Sequence, residues 1–163
     1  MKTNTLNGAI RLPGLEERVP GADQRATEVV VNVIKTSGLI EDAVAAHLRP
    51  HGLSGTSFNT LMILEGSQEP LCPSEIGERL LVTRGTMTGV LDSLEKRGLI
   101  VRRPDERDRR MLRIELTDKA RALLNEIVPT LHRCEAELLA HLSATDKESL
   151  VRLLGKTLSG LTP

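Results

Sequence analysis

Pro73-Ser74-Glu75-Ile76-Gly77-Glu78-Arg79-Leu80-Leu81-Val82-Thr83-Arg84-Gly85-Thr86-Met87-Thr88-Gly89-Val90-Leu91-Asp92-Ser93-Leu94-Glu95-Lys96-Arg97-Gly98 is the stretch that decides the fold. Proline at a first helical position, with a carboxylate two residues later, suits a helix start. Ile76 and Leu80 give this short helix its buried face, and it ends at Val82-Thr83. Thr83 then caps a second helix, whose inward residues are Met87, Val90, Leu91 and Leu94. Its outer N-terminal positions, Arg84, Gly85, Thr86 and Thr88, combine small side chains with one arginine and can lie close to base edges. Gly98 stops the helix, with Lys96 and Arg97 in the last turn, where the dipole favours cations. Two helices joined by a short turn can present the second to the major groove of DNA.

Downstream, Leu99-Ile100-Val101 reads as a short strand and Met111 to Leu116 as its partner. The connection between them, Arg102-Arg103-Pro104-Asp105-Glu106-Arg107-Asp108-Arg109-Arg110, is long and charged, a wing rather than a tight hairpin. Arginines placed there can reach phosphates or a neighbouring minor groove. The net charge of the chain is zero, from 22 basic and 22 acidic residues, which by itself gives nucleic-acid binding no support. Distribution restores it. Glu95 to Arg113 contains eight Lys or Arg and four acids, a local excess of 8 − 4 = 4, so one face can be positive on a neutral protein. Phe58 stands with no Trp or Tyr, so aromatic stacking on single-stranded bases is close to excluded and the reading points to duplex DNA.

Working outward, the 163 residues suit one domain with a real core. Residues 1–22, with Pro13 and Pro20 and weak periodicity, read as an N-terminal tail or loosely packed arm. From about Asp23 to Leu48, apolar residues recur at Val30, Val33, Ile40, Val44 and Leu48, a long amphipathic helix that stops at Pro50. Ser54 can cap the next helix, through Phe58, Leu61, Met62 and Leu64 to Gly66. Thr117-Asp118 opens a helix with an apolar stripe reaching Leu142, bent at Pro129. Ser143-Ala144-Thr145-Asp146 starts a last one with Leu150, Leu153, Leu154 and Leu158. The fold class is mainly α with a small β-wing. Residues 53–116 form the DNA-binding lobe, and 23–52 with 117–163 the dimerisation helices. Those outer helices are more apolar than the core of a small lobe requires, and a twofold mate would cover the excess. No segment has the length of apolar run that spans a membrane, nor does an apolar stretch follow Lys2, so a cytoplasmic protein is expected.

The strings Ser74 to Leu80, Thr83 to Thr88, Leu94-Glu95-Lys96-Arg97-Gly98-Leu99-Ile100, Arg103-Pro104 with Asp108-Arg109-Arg110, and Leu116-Thr117-Asp118-Lys119-Ala120 together resemble the MarR family of winged helix-turn-helix transcription regulators. The resemblance runs from Ser54 to about Ala122. Ala120 stands where the family pattern has Gly, and Gly77 where it has Ala. The resemblance implies a homodimer on pseudo-palindromic double-stranded operator DNA, acting most often as a repressor. It places the Thr83–Leu94 helix in the major groove, with Thr83, Arg84, Gly85, Thr86 and Thr88 at the contact. Ser74 and Arg102 or Arg103 would reach phosphate. Arg110, or its neighbour Arg109, would enter the flanking minor groove, and Asp108 would pair with an arginine to shape the wing tip. A pocket for a small aromatic or phenolic effector would be lined by Val44, His47, Leu48, Phe58, Met62 and Arg79.

Rival readings stay open at this point. Cys72 stands at the N-terminus of a helix, where the dipole can lower a thiol pKa, so a redox-sensing regulator is one alternative. Its distance in sequence from Cys134 gives no sign of a disulfide scaffold. A dimeric interaction module that kept the fold and lost DNA binding is another, and the intact arginine wing argues against it. His47 and His51 have i, i+4 spacing, but Pro50 lies between them, so no metal site is expected. No nucleophile–base pair or glycine-rich phosphate loop is visible, and neither an enzyme nor a cofactor is expected.

Overall fold

The computed structural model describes residues 4–6, 8–105 and 111–161. It falls into two compact units, Met1–Gly52 and Leu53–Pro163. Helices dominate both. Among the described residues, no helix is long and apolar enough to cross a membrane.

In the first unit the segment before residue 22, expected as a tail or loosely packed arm, forms a small structure of its own. Strands β1 (Asn4–Leu6) and β2 (Ala9–Arg11) pair antiparallel, and a single helical turn, α1 (Leu15–Arg18), follows. Helix α2 (Gln24–Leu48) opens on Asp23, whose carboxylate accepts from Ala26 N–H, one of the donors a helix start leaves unsatisfied. Two side chains of α2 fasten the arm. Glu28, buried, accepts from Leu12 N–H and from the Arg11 guanidinium, each at 2.8 Å. The Asn32 amide accepts from Ile10 N–H at 2.8 Å and donates to Ile10 C=O at 2.9 Å. The arm's apolar residues recur at no regular helical or strand spacing; Leu12 is buried, and polar bonds to α2 hold the segment around it. Of the stripe foreseen on α2, Val30, Val33 and Ile40 are exposed, as are Val29, Ile34 and Leu39, while Val44 is half-buried and Leu48 buried.

The second unit begins with α3 (Gly55–Glu65), capped by Ser54, then α4 (Pro73–Leu80) and α5 (Arg84–Lys96). Strands β3 (Ile100–Pro104) and β4 (Leu112–Leu116) pair antiparallel with Arg102 opposite Ile114. Leu71 adds one bridge to Ile114, so the wing sheet is tied to the residues just ahead of α4. Helix α6 (Asp118–Leu138) runs through Pro129, and α7 (Ala144–Leu161) ends the described chain. Leu61, Ile76, Met87, Leu91, Leu94, Ile100, Ile114 and Ile127 are almost fully buried and form the core. Helix α6, expected among the dimerisation helices, has its stripe of Ala120, Leu124, Ile127 and Leu131 buried in this unit. Its first turn is locked to the end of α5, with Thr117 Oγ1 donating to Gly98 C=O and Lys119 Nζ to Arg97 C=O. Helix α7 buries none of its residues. Leu150, Val151, Leu153, Leu154, Leu158 and Leu161 are exposed along it.

Helices α4 and α5 end in the same six-residue motif. In α5, Leu99 N–H returns to Leu94 C=O and Gly98 N–H to Glu95 C=O, with Gly98 at φ 68°. In α4, Val82 N–H returns to Gly77 C=O and Leu81 N–H to Glu78 C=O, with Leu81 at φ 53°. The pair of bonds satisfies carbonyls the helix end would otherwise leave open, and it requires one left-handed residue.

Two measurements test this description. A Cβ on Gly77 would meet Val82 O at 3.7 Å and Met87 Cβ at 3.9 Å, ordinary contacts. Gly77→Ala therefore stabilises the fold by about 0.5–1 kcal/mol through lost chain entropy, read as a higher thermal midpoint; a lower one would show that α4 and α5 pack tighter than this. The Leu12 N–H bond, followed by Arg11, holds the Glu28 carboxyl below its ordinary 4.5. A depressed carboxyl pKa stabilises above the unfolded value and loses that contribution as pH falls through the folded one. Hydrogen-exchange protection at Leu12 should thus fade in acid below about pH 4.5, and Glu28→Gln should lower it at neutral pH and flatten that dependence.

Candidate nucleic-acid interface

Of the residues singled out for DNA, Ser74, Arg84, Thr88 and Arg102 line one groove of the second unit. Thr83 is the N-cap of α5 and accepts from Thr86 N–H at 3.2 Å, with the two hydroxyls 2.9 Å apart. Thr83, Arg84, Gly85, Thr86 and Thr88 are exposed, while Met87, Leu91 and Leu94 are buried on the opposite side. The helix thus keeps its apolar face for the core and turns its small and basic positions outward. Thr88 Oγ1 donates back to Arg84 C=O at 3.0 Å, which leaves its lone pairs outward as acceptors.

A groove of about 850 Å³ runs between α4, α5 and the wing strands. Ser74, Arg84, Thr88, Arg102 and Met111 are among its lining residues. Ser74 sits at the start of α4, its hydroxyl 3.0 Å from Cys72 Sγ. Cys72 is buried and acts as the helix cap: its N–H donates to Glu75 at 2.7 Å. That bond and the Cys72 side chain, aided by Arg113, keep the Glu75 carboxyl below its ordinary range. The Glu75 carboxylate thus closes its half of a capping box on the Cys72 amide.

Arg102 and Arg103, read from sequence as phosphate contacts, are both ion-paired. Arg102 reaches Asp92 at 2.5 Å and Glu95 at 3.6 Å, both on α5, and Arg103 reaches Glu115 at 3.1 Å across the ladder. The local charge excess is therefore smaller on the folded surface than along the chain, because Asp92 and Glu115, two acids outside the counted segment, meet its arginines. Asp108, Arg109 and Arg110 lie outside the described residues, as does Arg107. The base of the wing is well defined: Asp105 N–H donates to Met111 C=O at 3.0 Å, one step beyond the Pro104–Leu112 pair.

Sequence reasoning missed Arg113. Its guanidinium donates to the buried Asp105 carboxylate at 2.5 Å, to Glu75 at 3.3 Å and to Pro70 C=O at 3.2 Å. The Asp105 hydrogen bond, with both carboxylates close by, raises its pKa above the ordinary guanidinium value. One side chain so joins the wing to the first turn of α4. Glu75 and Arg113 are 38 residues apart, and charge pattern along the chain carries no sign of the pairing.

The residues named for an effector pocket belong to both units. On α2, Val44 and His47 are half-buried and Leu48 is buried. In the second unit Phe58 is buried, Met62 half-buried and Arg79 exposed. Of these, Met62 lines a small cavity of about 220 Å³ with Glu65, Leu124, Asn125, Val128 and Pro129. Among the described residues, no three His, Cys, Asp or Glu are grouped to hold a metal.

A capped helix-turn-helix with a two-stranded wing defines a winged-helix protein, and comparison with known proteins gives the family. Residues 51–111 match the MarR family model. The chain is 33% identical over 139 residues to the HTH-type transcriptional regulator PecS of Dickeya dadantii, covering 84% of each. It is 38% identical over 115 residues to the transcriptional repressor MprA of Escherichia coli, which is 70% of this chain and 65% of that repressor's length. Among solved structures, the S. aureus MepR–DNA complex superposes with a TM-score of 0.72 at 25% identity, over 80% of this chain and 94% of that one. The chain belongs to the MarR family of transcriptional regulators.

Removing Arg113 leaves the buried Asp105 without its guanidinium. Arg113→Met should lower the thermal midpoint by a few degrees through loss of the ion pair and hydrogen bonds that tie the wing base to α4, and Asp105→Asn by less. Equal stability for Arg113→Met and the parent would show that the wing base stands without this contact.

Proposed function

We propose that this protein is a sequence-specific double-stranded DNA-binding repressor that works as a twofold homodimer and is released by a small effector. The exposed N-terminal half of α5, beside a groove edged by the wing, carries the reading. It has the dimensions and chemistry to enter a major groove, with Arg84, Thr86 and Thr88 toward base edges and Ser74 toward phosphate. The relatives named repressor or regulator, and the solved relative in complex with DNA, support it. Arg109 and Arg110 are assigned to the minor groove on the family resemblance, with Asp108 holding the tip. Arg102 and Arg103 would exchange their carboxylates for phosphates on binding.

The dimer reading rests on α2 and α7, whose exposed Val, Ile and Leu side chains exceed what a lone soluble chain ordinarily shows. A second copy would cover them and set two recognition helices about one turn of DNA apart, roughly 34–36 Å. Effector release follows from linkage: a ligand favouring a dimer geometry that mismatches the half-sites lowers DNA affinity by the same factor that DNA lowers its own. A small aromatic or phenolic acid is the class that the family resemblance suggests. The protein is read as a regulator rather than an enzyme.

Arg84→Ala should weaken binding to a duplex selected by the parent protein. Arg110→Ala should do so too and reduce the salt slope by about one unit per subunit contact; an unchanged affinity at several salt concentrations would refute the wing assignment. Leu154→Glu with Leu158→Glu should yield monomers in sedimentation, with operator binding lost. Persistence of the dimer would place the interface elsewhere.

A further inference from the structure

Leu81 stands where neither backbone nor core explains a leucine. The two hydrogen bonds that close α4 force this residue into the left-handed region, φ 53° and ψ 38°. The matching position at the end of α5 is Gly98, φ 68°, the residue type that adopts this conformation without a steric penalty. Among the described residues, Leu81 is the one non-glycine with positive φ. Its side chain does not offset the strain by burial, since the residue is 81% exposed, the most exposed large hydrophobic residue described. It stands in the turn between the two helices and lines the groove shared by Ser74, Arg84, Thr88 and Arg102.

We infer that Leu81 is a DNA-contacting residue, an apolar side chain that packs on a thymine methyl or a deoxyribose face when α5 enters the groove. This inference rests on the DNA-binding reading above. Three residues before Arg84, the turn faces the partner that the start of α5 faces. A branched apolar side chain there would lose exposed surface against that partner. It brings no charge and releases no counterion, so its contribution differs from that of the arginines in being independent of salt. Thymine presents its methyl in the major groove, and apolar side chains read it there.

The test selects a 30-base-pair duplex from a random pool with the full-length parent protein, then compares variants by fluorescence anisotropy at four salt concentrations. Leu81→Gly should raise the thermal midpoint by about 2–4 °C as the left-handed strain is relieved. It should weaken binding about three- to tenfold with an unchanged salt slope. Leu81→Ala should lose the same affinity without the thermal gain, separating the contact from the strain. Replacing thymine by deoxyuridine in the duplex distinguishes the two contacts: a loss for the parent that Leu81→Gly does not share assigns the thymine methyl. Equal losses in both assign the deoxyribose. Parent-like affinity of Leu81→Gly at every salt concentration, with Arg84→Ala impaired, would overturn the inference and leave the DNA-binding reading intact. A parent protein that enriches no sequence would overturn both.

Discussion

The guanidinium of Arg113 meets a buried carboxylate from the far arm of the wing, a carboxylate from the first turn of α4 and a backbone carbonyl ahead of it. A sheet of two short strands is marginal by itself. Ile100 and Ile114 bury its base and Leu71 bridges to Ile114, and the ion cluster adds a polar tie from the wing to α4. Glu75 is already committed to the Cys72 amide, so Arg113 is anchored to a helix cap rather than to a mobile side chain. Helix α5 packs on α4 through Met87 beside Gly77. The recognition surface and the wing thereby share one reference point, the first turn of α4. A shared reference point of this kind suits the proposed interface, in which helix and wing would each meet a groove.

Much of this lobe was legible because its punctuation is chemical. Ser54, Pro73, Thr83, Gly98 and Thr117 each supply a cap or a stop that backbone geometry demands, and the helices begin and end where these residues stand. Met87, Leu91 and Leu94 fell inward as their spacing requires. The ion pairs were not legible. Arg102 with Asp92, Arg103 with Glu115 and Arg113 with Glu75 join residues that only the folded ladder brings together. Counting charges along one segment overstated its basicity for that reason. Leu81 escaped notice because leucine is a strong helix former, and only the hydrogen bonds of the turn reveal its strained backbone.

The N-terminal arm was hardest to read, and its logic is polar. Periodicity detects elements that bury apolar stripes, whereas β2 and the residues after it are held by a carboxylate and an amide reaching up from α2. Weak periodicity marked an irregular spacing of apolar residues there, which is a different property from a lack of order. The opposite held for α7. Its apolar spacing was plain, yet none of its residues is buried in the single chain, so a strong periodic signal located a face without locating what covers it.

Asn32 offers Ile10 one acceptor and one donor, the pair of bonds that an adjoining strand would make. A two-stranded ribbon with an open rim invites a foreign strand to add itself, which is how sheets come to aggregate. Here one amide of a neighbouring helix imitates that foreign strand. It occupies the β2 rim at its central residue and leaves a newcomer no continuous ladder to extend on that side.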